Sequence, residues 1–255
     1  MSASPKLKYG FVALLLGATG LIVASNLWKA ELKVRRVTVE GNRIVETPEI
    51  LQLVKIAKDA QLHEVDLMAV RKNVLSHYFI KDAVVERDLP ATIKITVKER
   101  SPLAIVNAQE VLYLDEDGVV LPHSISKALF DLPILSGLPA GQSGLPGTMT
   151  LKPGMTLKNA DVQEALEILA TSKLVGKELY YMISEVRLRD GGDIVLYAAE
   201  WGVPIIIGRG NIPSKLVRLE TFWRDVVRQQ GAEKLQYVDL RFDDQVVVRW
   251  NQKKG

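Results

Sequence analysis

The chain has 255 residues, 47% hydrophobic and 25% charged, with 33 Lys and Arg against 30 Asp and Glu. This composition excludes a disordered or collagen-like chain, and the absence of cysteine excludes disulfide frameworks, thiolate zinc sites and cysteine nucleophiles. A net charge of +3 does not point to nucleic acid, which needs Lys and Arg clustered on one face.

Residues 9–28 carry no Lys, Arg, Asp or Glu. At about 1.5 Å rise per residue such a helix reaches roughly 30 Å, the thickness of a bilayer's hydrocarbon. Tyr9 and Trp28 stand at its ends, where amphipathic rings favour the headgroup region. A retained transmembrane anchor is the expected reading. The alternatives are a buried helix or a cleaved signal peptide with Lys6 and Lys8 before it and Val23-Ala24-Ser25 as a small-residue cleavage site. Lysines lie before the run and Lys29, Lys33, Arg35 and Arg36 after it, so charge alone does not orient it.

Beyond the run, Val37 and Val39 predict a strand over Val34–Glu40, closed by Gly41-Asn42. Thr47-Pro48-Glu49 reads as N-cap, first-turn proline and an acid at the positive helix end. Asp66 is the expected cap of a second helix with Leu67, Val70 and Val74 on one face. Strands are expected over Ala83–Arg87 and Thr92–Lys98. In the second, Ile93, Ile95 and Val97 alternate with Thr92, Lys94, Thr96 and Lys98, and the Lys/Glu alternation over 94–99 reads as a solvated face. The order β-α-α-β-β is a complete small α+β unit.

The second half predicts a hairpin, Val111–Leu114 and Val119–Leu121, around Asp115-Glu-Asp-Gly118. A stretch rich in Gly and Pro from Leu132 to Gly154 reads as a loop. A helix is expected over Lys158–Ser172, then strands over Met182–Arg189, Ile194–Tyr197 and Val203–Ile207. A further helix is expected over Pro213–Gln230, with Leu216, Leu219, Trp223 and Val226 on its stripe and Gly231 as its stop. Strands over Tyr237–Phe242 and Gln245–Trp250 complete the series.

No catalytic constellation emerges. His63, His77 and His123 have no metal-ligand spacing, and neither a nucleophile elbow nor a phosphate loop is present. Asp115-Glu-Asp-Gly118 lacks the distal glutamate of a calcium loop and reads as a turn, while Gly208-Arg-Gly-Asn211 reads as strand end and helix cap. The chain is therefore expected to be no enzyme and to use no cofactor, metal, nucleic acid or small-molecule substrate.

The strand before Gly41-Asn42, Thr47-Pro48-Glu49-Ile50, Val65-Asp66-Leu67, Val84-Val-Glu-Arg-Asp-Leu-Pro90 and Ile93-Lys-Ile-Thr-Val-Lys-Glu-Arg-Ser-Pro102 together resemble a POTRA domain. In particular they resemble the one that follows the single membrane span in the FtsQ/DivIB family of bacterial cell division proteins. Tyr113-Leu-Asp-Glu-Asp-Gly118, Leu132-Pro-Ile-Leu-Ser-Gly137, Gly208-Arg209, Tyr237-Val-Asp-Leu-Arg-Phe242 and Val246–Trp250 extend the resemblance almost to the end of the chain. It implies a cytoplasmic tail over 1–8, a transmembrane helix over 9–28, a POTRA domain over 33–102, a β-rich α+β domain over 103–250 and a tail over 251–255. It also implies a single-pass protein of the cytoplasmic (inner) membrane with its bulk outside the cytoplasm, at the division septum. The implied function is a divisome scaffold linking early and late division proteins and binding FtsB and FtsL to control septal peptidoglycan synthesis.

The terminal Val246-Val-Val248-Arg249-Trp250 is strongly strand-forming. By itself it fits an interior strand somewhat better than a partner-binding edge; the resemblance reverses that order, because the family's last strand region binds FtsB and FtsL. The implied partner-binding residues are Arg241, Phe242, Asp244, Val246, Val248 and Trp250. The family's usual Tyr-Asp-Ser-Gly is replaced by Phe242-Asp243-Asp244-Gln245, which removes a hydroxyl and a glycine from the turn. The alternative, an outer-membrane assembly or secretion component with POTRA units before a barrel, needs about eight or more amphipathic strands. The convincing helices after Pro102 leave little room for them.

Overall fold

A computed structural model describes residues 14–21, 32–107, 110–123, 130–138, 151–189 and 192–251. Residues 14–21 are helical and exposed. The rest of the expected 9–28 span lies outside the described residues, as do the two tails apart from Asn251. Among the described residues no helix is long and apolar enough to cross a membrane. The chain divides into two compact units, Met1–Glu99 and Arg100–Gly255.

The first unit runs β1 (Arg36–Glu40), α1 (Thr47–Val54), α2 (Leu67–Val74), β2 (Ile80–Asp88) and β3 (Thr92–Glu99). Its sheet has the order β1-β3-β2, with β1 parallel and β2 antiparallel to β3. Period-two alternation places Ile93, Ile95 and Val97 inside, in a core shared with Ile50, Val54, Val70, Val74 and Phe79. Asp66 caps α2, its Oδ1 accepting from the amides of Met68 (2.9 Å) and Ala69 (3.0 Å). The expected Thr47 cap is not one. Glu46 holds the N-cap position of α1, and the Thr47 hydroxyl instead accepts from Asn42 Nδ2 at 3.1 Å.

Glu99 and Arg87 are structural locks. Glu99 accepts from the amides of Arg43, Ile44 and Val45, each at 2.8 Å, so it is not part of a merely solvated face. Arg87 donates to the carbonyls of Leu62, His63 and Val65, fixing the loop that leads into α2.

The second unit contains β4 (Pro102–Asn107), β5 (Val111–Asp115), β6 (Val120–Pro122), β7 (Ile134–Ser136), α3 (Ala160–Val175), α4 (Lys177–Met182), β8 (Ile183–Leu188), β9 (Ile194–Ala198), β10 (Pro204–Ile206), α5 (Ile212–Phe222), β11 (Leu235–Asp239) and β12 (Val247–Trp250). One open nine-stranded sheet runs β12-β11-β10-β9-β8-β7-β4-β5-β6. It is not the closed barrel that the outer-membrane alternative requires. Val162, Leu166 and Leu169 of α3 and Leu216 and Leu219 of α5 bury against Leu114, Leu135, Val186, Leu196, Ile205 and Val238 in one core, each such side chain contributing about 1.5–3 kcal/mol.

The stretch from Leu132, expected as loop, contains β7, which pairs in parallel with both β4 and β8 and joins the two halves of the sheet. Gly137 follows it at φ +71 because a Cβ there would fall on the Leu188 carbonyl oxygen. The helix expected to end at Gln230 changes to a π-helical turn over Trp223–Val227. Val227 is buried there, and Val226, expected on the stripe, is half-buried.

Candidate functional site

The expected site residues gather at the free end of the large sheet. β12 is its outermost strand and pairs antiparallel with β11, in the register Leu235↔Trp250, Tyr237↔Arg249, Val238↔Val248 and Asp239↔Val247. Val246, Val248 and Trp250 are half-buried and pack against the core, so the strand is anchored along one face. Among the described residues no strand pairs with its outer side. β12 is thus packed on one face yet outermost in the sheet, not the interior strand that its sequence alone favours.

The segment between β11 and β12 is held from below and from the side. Arg218 of α5 donates from Nη1 to the carbonyls of Phe242 (3.1 Å) and Gln245 (3.4 Å). Leu240 extends the ladder, its amide donating to the Ile206 carbonyl at 2.8 Å. Asp244 sits at φ +54, a left-handed position that Asp tolerates better than most residues. Phe242 is 52% exposed, an aromatic ring presented to solvent beside the edge.

Arg241 is engaged within the chain. Its Nη2 donates to Asp239 Oδ2 at 2.7 Å, its Nε to Asp239 Oδ1 at 3.0 Å, and its Nη1 reaches Asp193 Oδ2 at 3.1 Å. Burial acts to raise the pKa of Asp239, but hydrogen bonds from Arg241 and the charges of Arg241 and Lys215 hold it below the usual carboxylate value. The same bonds raise the pKa of the Arg241 guanidinium. Gly208 leaves room for this side chain, since a Cβ there would lie 2.7 Å from Arg241 Cγ.

The loop carrying Gly208 is fixed in turn. Arg209 bridges Asp161 (2.6 Å), Glu164 and the Gly192 carbonyl, and buried Lys215 donates to the carbonyls of Ile207 (3.0 Å) and Arg209 (2.7 Å). Gly208-Arg209 is therefore a structural clamp. Asn211 occupies the N-cap position of α5 but makes no side-chain cap bond. Sequence reasoning missed Arg218, Asp239 and Asp193. The roles of Arg218 and Asp193 depend on long-range pairing, and that of Asp239, two residues from Arg241, on its burial.

Asp115, expected as a turn residue, is buried, accepts from the amides of Asp117 and Val119, and pairs with Arg100 at 2.7 Å. Among the described residues no group of His, Asp and Glu could hold a metal ion. A cleft of about 360 Å³ lies among Tyr181, Met182, Ala199, Trp223 and Arg224. Both arginines lining it are already paired, Arg224 with Glu220 and Arg228 with Glu178.

Residues 32–100 match the family model described as POTRA domain, FtsQ-type, and residues 104–241 match that described as Cell division protein FtsQ/DivIB, C-terminal. The second match ends at Arg241, so residues 242–250 lie beyond it. Among similar proteins, Cell division protein FtsQ of Syntrophotalea carbinolica is 29% identical over 92% of this chain and 82% of its own length. The protein of the same name from Salinibacter ruber is 28% identical over 94% and 95%, and that from a Geobacter species 28% identical over 86% and 76%.

Proposed function

The chain belongs to the FtsQ/DivIB family of cell division proteins, and on that premise we propose that it is a non-enzymatic scaffold of the divisome that takes FtsB- and FtsL-type partners at the β12 edge. Through them it controls septal peptidoglycan synthesis and links early to late division proteins. The divisome role follows from the family.

The observation that carries it is β12 itself: a terminal strand anchored by Val246, Val248 and Trp250 whose outer backbone has no strand partner among the described residues. Exposed edges are normally blunted, whereas an edge used for strand addition offers main-chain bonds for affinity and alternate side chains for selectivity. Arg241, Phe242 and Asp244 stand at one end of that edge and Trp250 at the other, and aromatic and Arg anchors are the types that dominate binding hot spots.

The uncharged run over 9–28 supports a single membrane anchor. The tail over 1–8 then lies in the cytoplasm, and the POTRA domain (33–102) and β domain (103–250) lie outside the inner membrane at the septum.

The test is the affinity of the full-length protein in detergent for its copurified FtsB–FtsL pair. Trp250→Ala and Phe242→Ala should each weaken it about ten-fold or more. If neither does, the edge is not the interface.

A further inference from the structure

Side chains along β12 alternate between two faces. Val248 and Trp250 lie opposite Val238 and Leu235, both members of the core, while Val247 and Arg249 lie on the other face opposite Asp239 and Tyr237. The nearest acid on that face, Asp239, is engaged by Arg241 through both carboxylate oxygens. Arg249 is exposed, and among the described residues no carboxylate pairs with it. The edge therefore presents one cation on its open face, flanked in sequence by two apolar side chains on the core face.

We infer that a strand adding to β12 carries an apolar–acidic–apolar triplet, with its Asp or Glu directly opposite Arg249 and its apolar side chains beside Val248 and Trp250. This rests on the edge being the partner site and adds the partner's chemistry to it. Directly opposed charges of opposite sign stabilise a strand pair, and like charges destabilise it by a similar amount. Arg249 thus selects an acidic strand and rejects a basic one. It also disfavours a second copy of β12 in an edge-to-edge pair that would bring two arginines together.

The competing role for an edge cation is only to block self-pairing, and the two roles give different results. In full-length protein with the copurified FtsB–FtsL pair, Arg249→Gln should weaken binding about three- to five-fold and flatten its salt dependence. Arg249→Glu should weaken it further. The side chain is exposed, so neither variant disturbs folding. Unchanged affinity in Arg249→Glu, while Trp250→Ala still weakens binding, overturns the inference and leaves the edge reading standing. Self-association of Arg249→Gln in sedimentation, with partner affinity unchanged, assigns the residue to edge blocking and also overturns it. If Trp250→Ala and Phe242→Ala bind like the wild type, the edge reading fails, and this inference with it.

Discussion

Asp239→Asn tests whether the Asp239–Arg241 pair holds the approach to β12. The Asp239 side chain is 7% exposed and that of Arg241 44% exposed. An asparagine oxygen can still accept from the Arg241 amide and Nε, both 3.0 Å from Oδ1. Its amide nitrogen would then face Arg241 Nη2, now 2.7 Å from Oδ2, donor against donor. Breaking a buried pair costs about 3–5 kcal/mol and losing one charged hydrogen bond about 1.5–3. Because the Arg241 guanidinium is half in water and keeps Asp193, the lower range applies, about 2 kcal/mol.

The assay is urea unfolding followed by tryptophan fluorescence, since Trp201, Trp223 and Trp250 all lie in the second unit. The pH dependence has a definite sign. The folded-state pKa of Asp239 is lowered, so its contribution is present above the unfolded carboxylate value of about 3.9 and is lost as pH falls through the folded value. The gap between wild type and Asp239→Asn should therefore be full at neutral pH and close on acidification. A variant within about 0.5 kcal/mol of wild type at pH 7, or a gap that stays constant into acid, refutes the reasoning.

Asp66→Ala removes two accepted amide bonds at the start of α2 and should cost about 1 kcal/mol. That corresponds to roughly five-fold faster amide exchange across Leu67–Val74, and unchanged exchange there would deny the cap. Gly137→Ala imposes a side chain at φ +71 on top of the Leu188 carbonyl and should destabilise the second unit by more than about 2 kcal/mol. A shift of under about 1 kcal/mol in its unfolding would show that β7 and β8 can part without cost.

The first unit was largely legible because its signals are local. Alternation marks β3, a cap marks α2, and each face follows from its own few residues. The second unit was legible where elements are long, as in α3 and α5, and obscure where pairing is remote. β7 has three residues between Pro133 and Gly137, too short for any period, yet it joins β4 to β8 through contacts made far along the chain. The π-helical turn at Trp223 left no mark in the periodicity of the sequence.

At the site, the placement of Trp250 on the edge strand follows from the strand-forming run, whereas Phe242, expected to end a strand, stands in the turn before β12. The engagement of Arg241 by Asp193 and the hold of Arg218 on the turn arise only when segments 24 to 48 residues apart come together, while Asp239, two residues from Arg241, has to be recognised as a buried acceptor rather than a surface acid. Glu99, read as part of a solvated face, and Arg87, expected only as the end of a strand, bond to backbone brought up by the fold.

The most direct test of the central claim is amide hydrogen exchange of Val247–Trp250 in the full-length protein, with and without the FtsB–FtsL pair. Strand addition predicts that the outward-pointing amides of β12, open to water in the free protein, become strongly protected in the complex, while the exposed amides of the first unit's β2 edge keep their rates. A complex that forms while every β12 amide exchanges at its free rate contradicts the account.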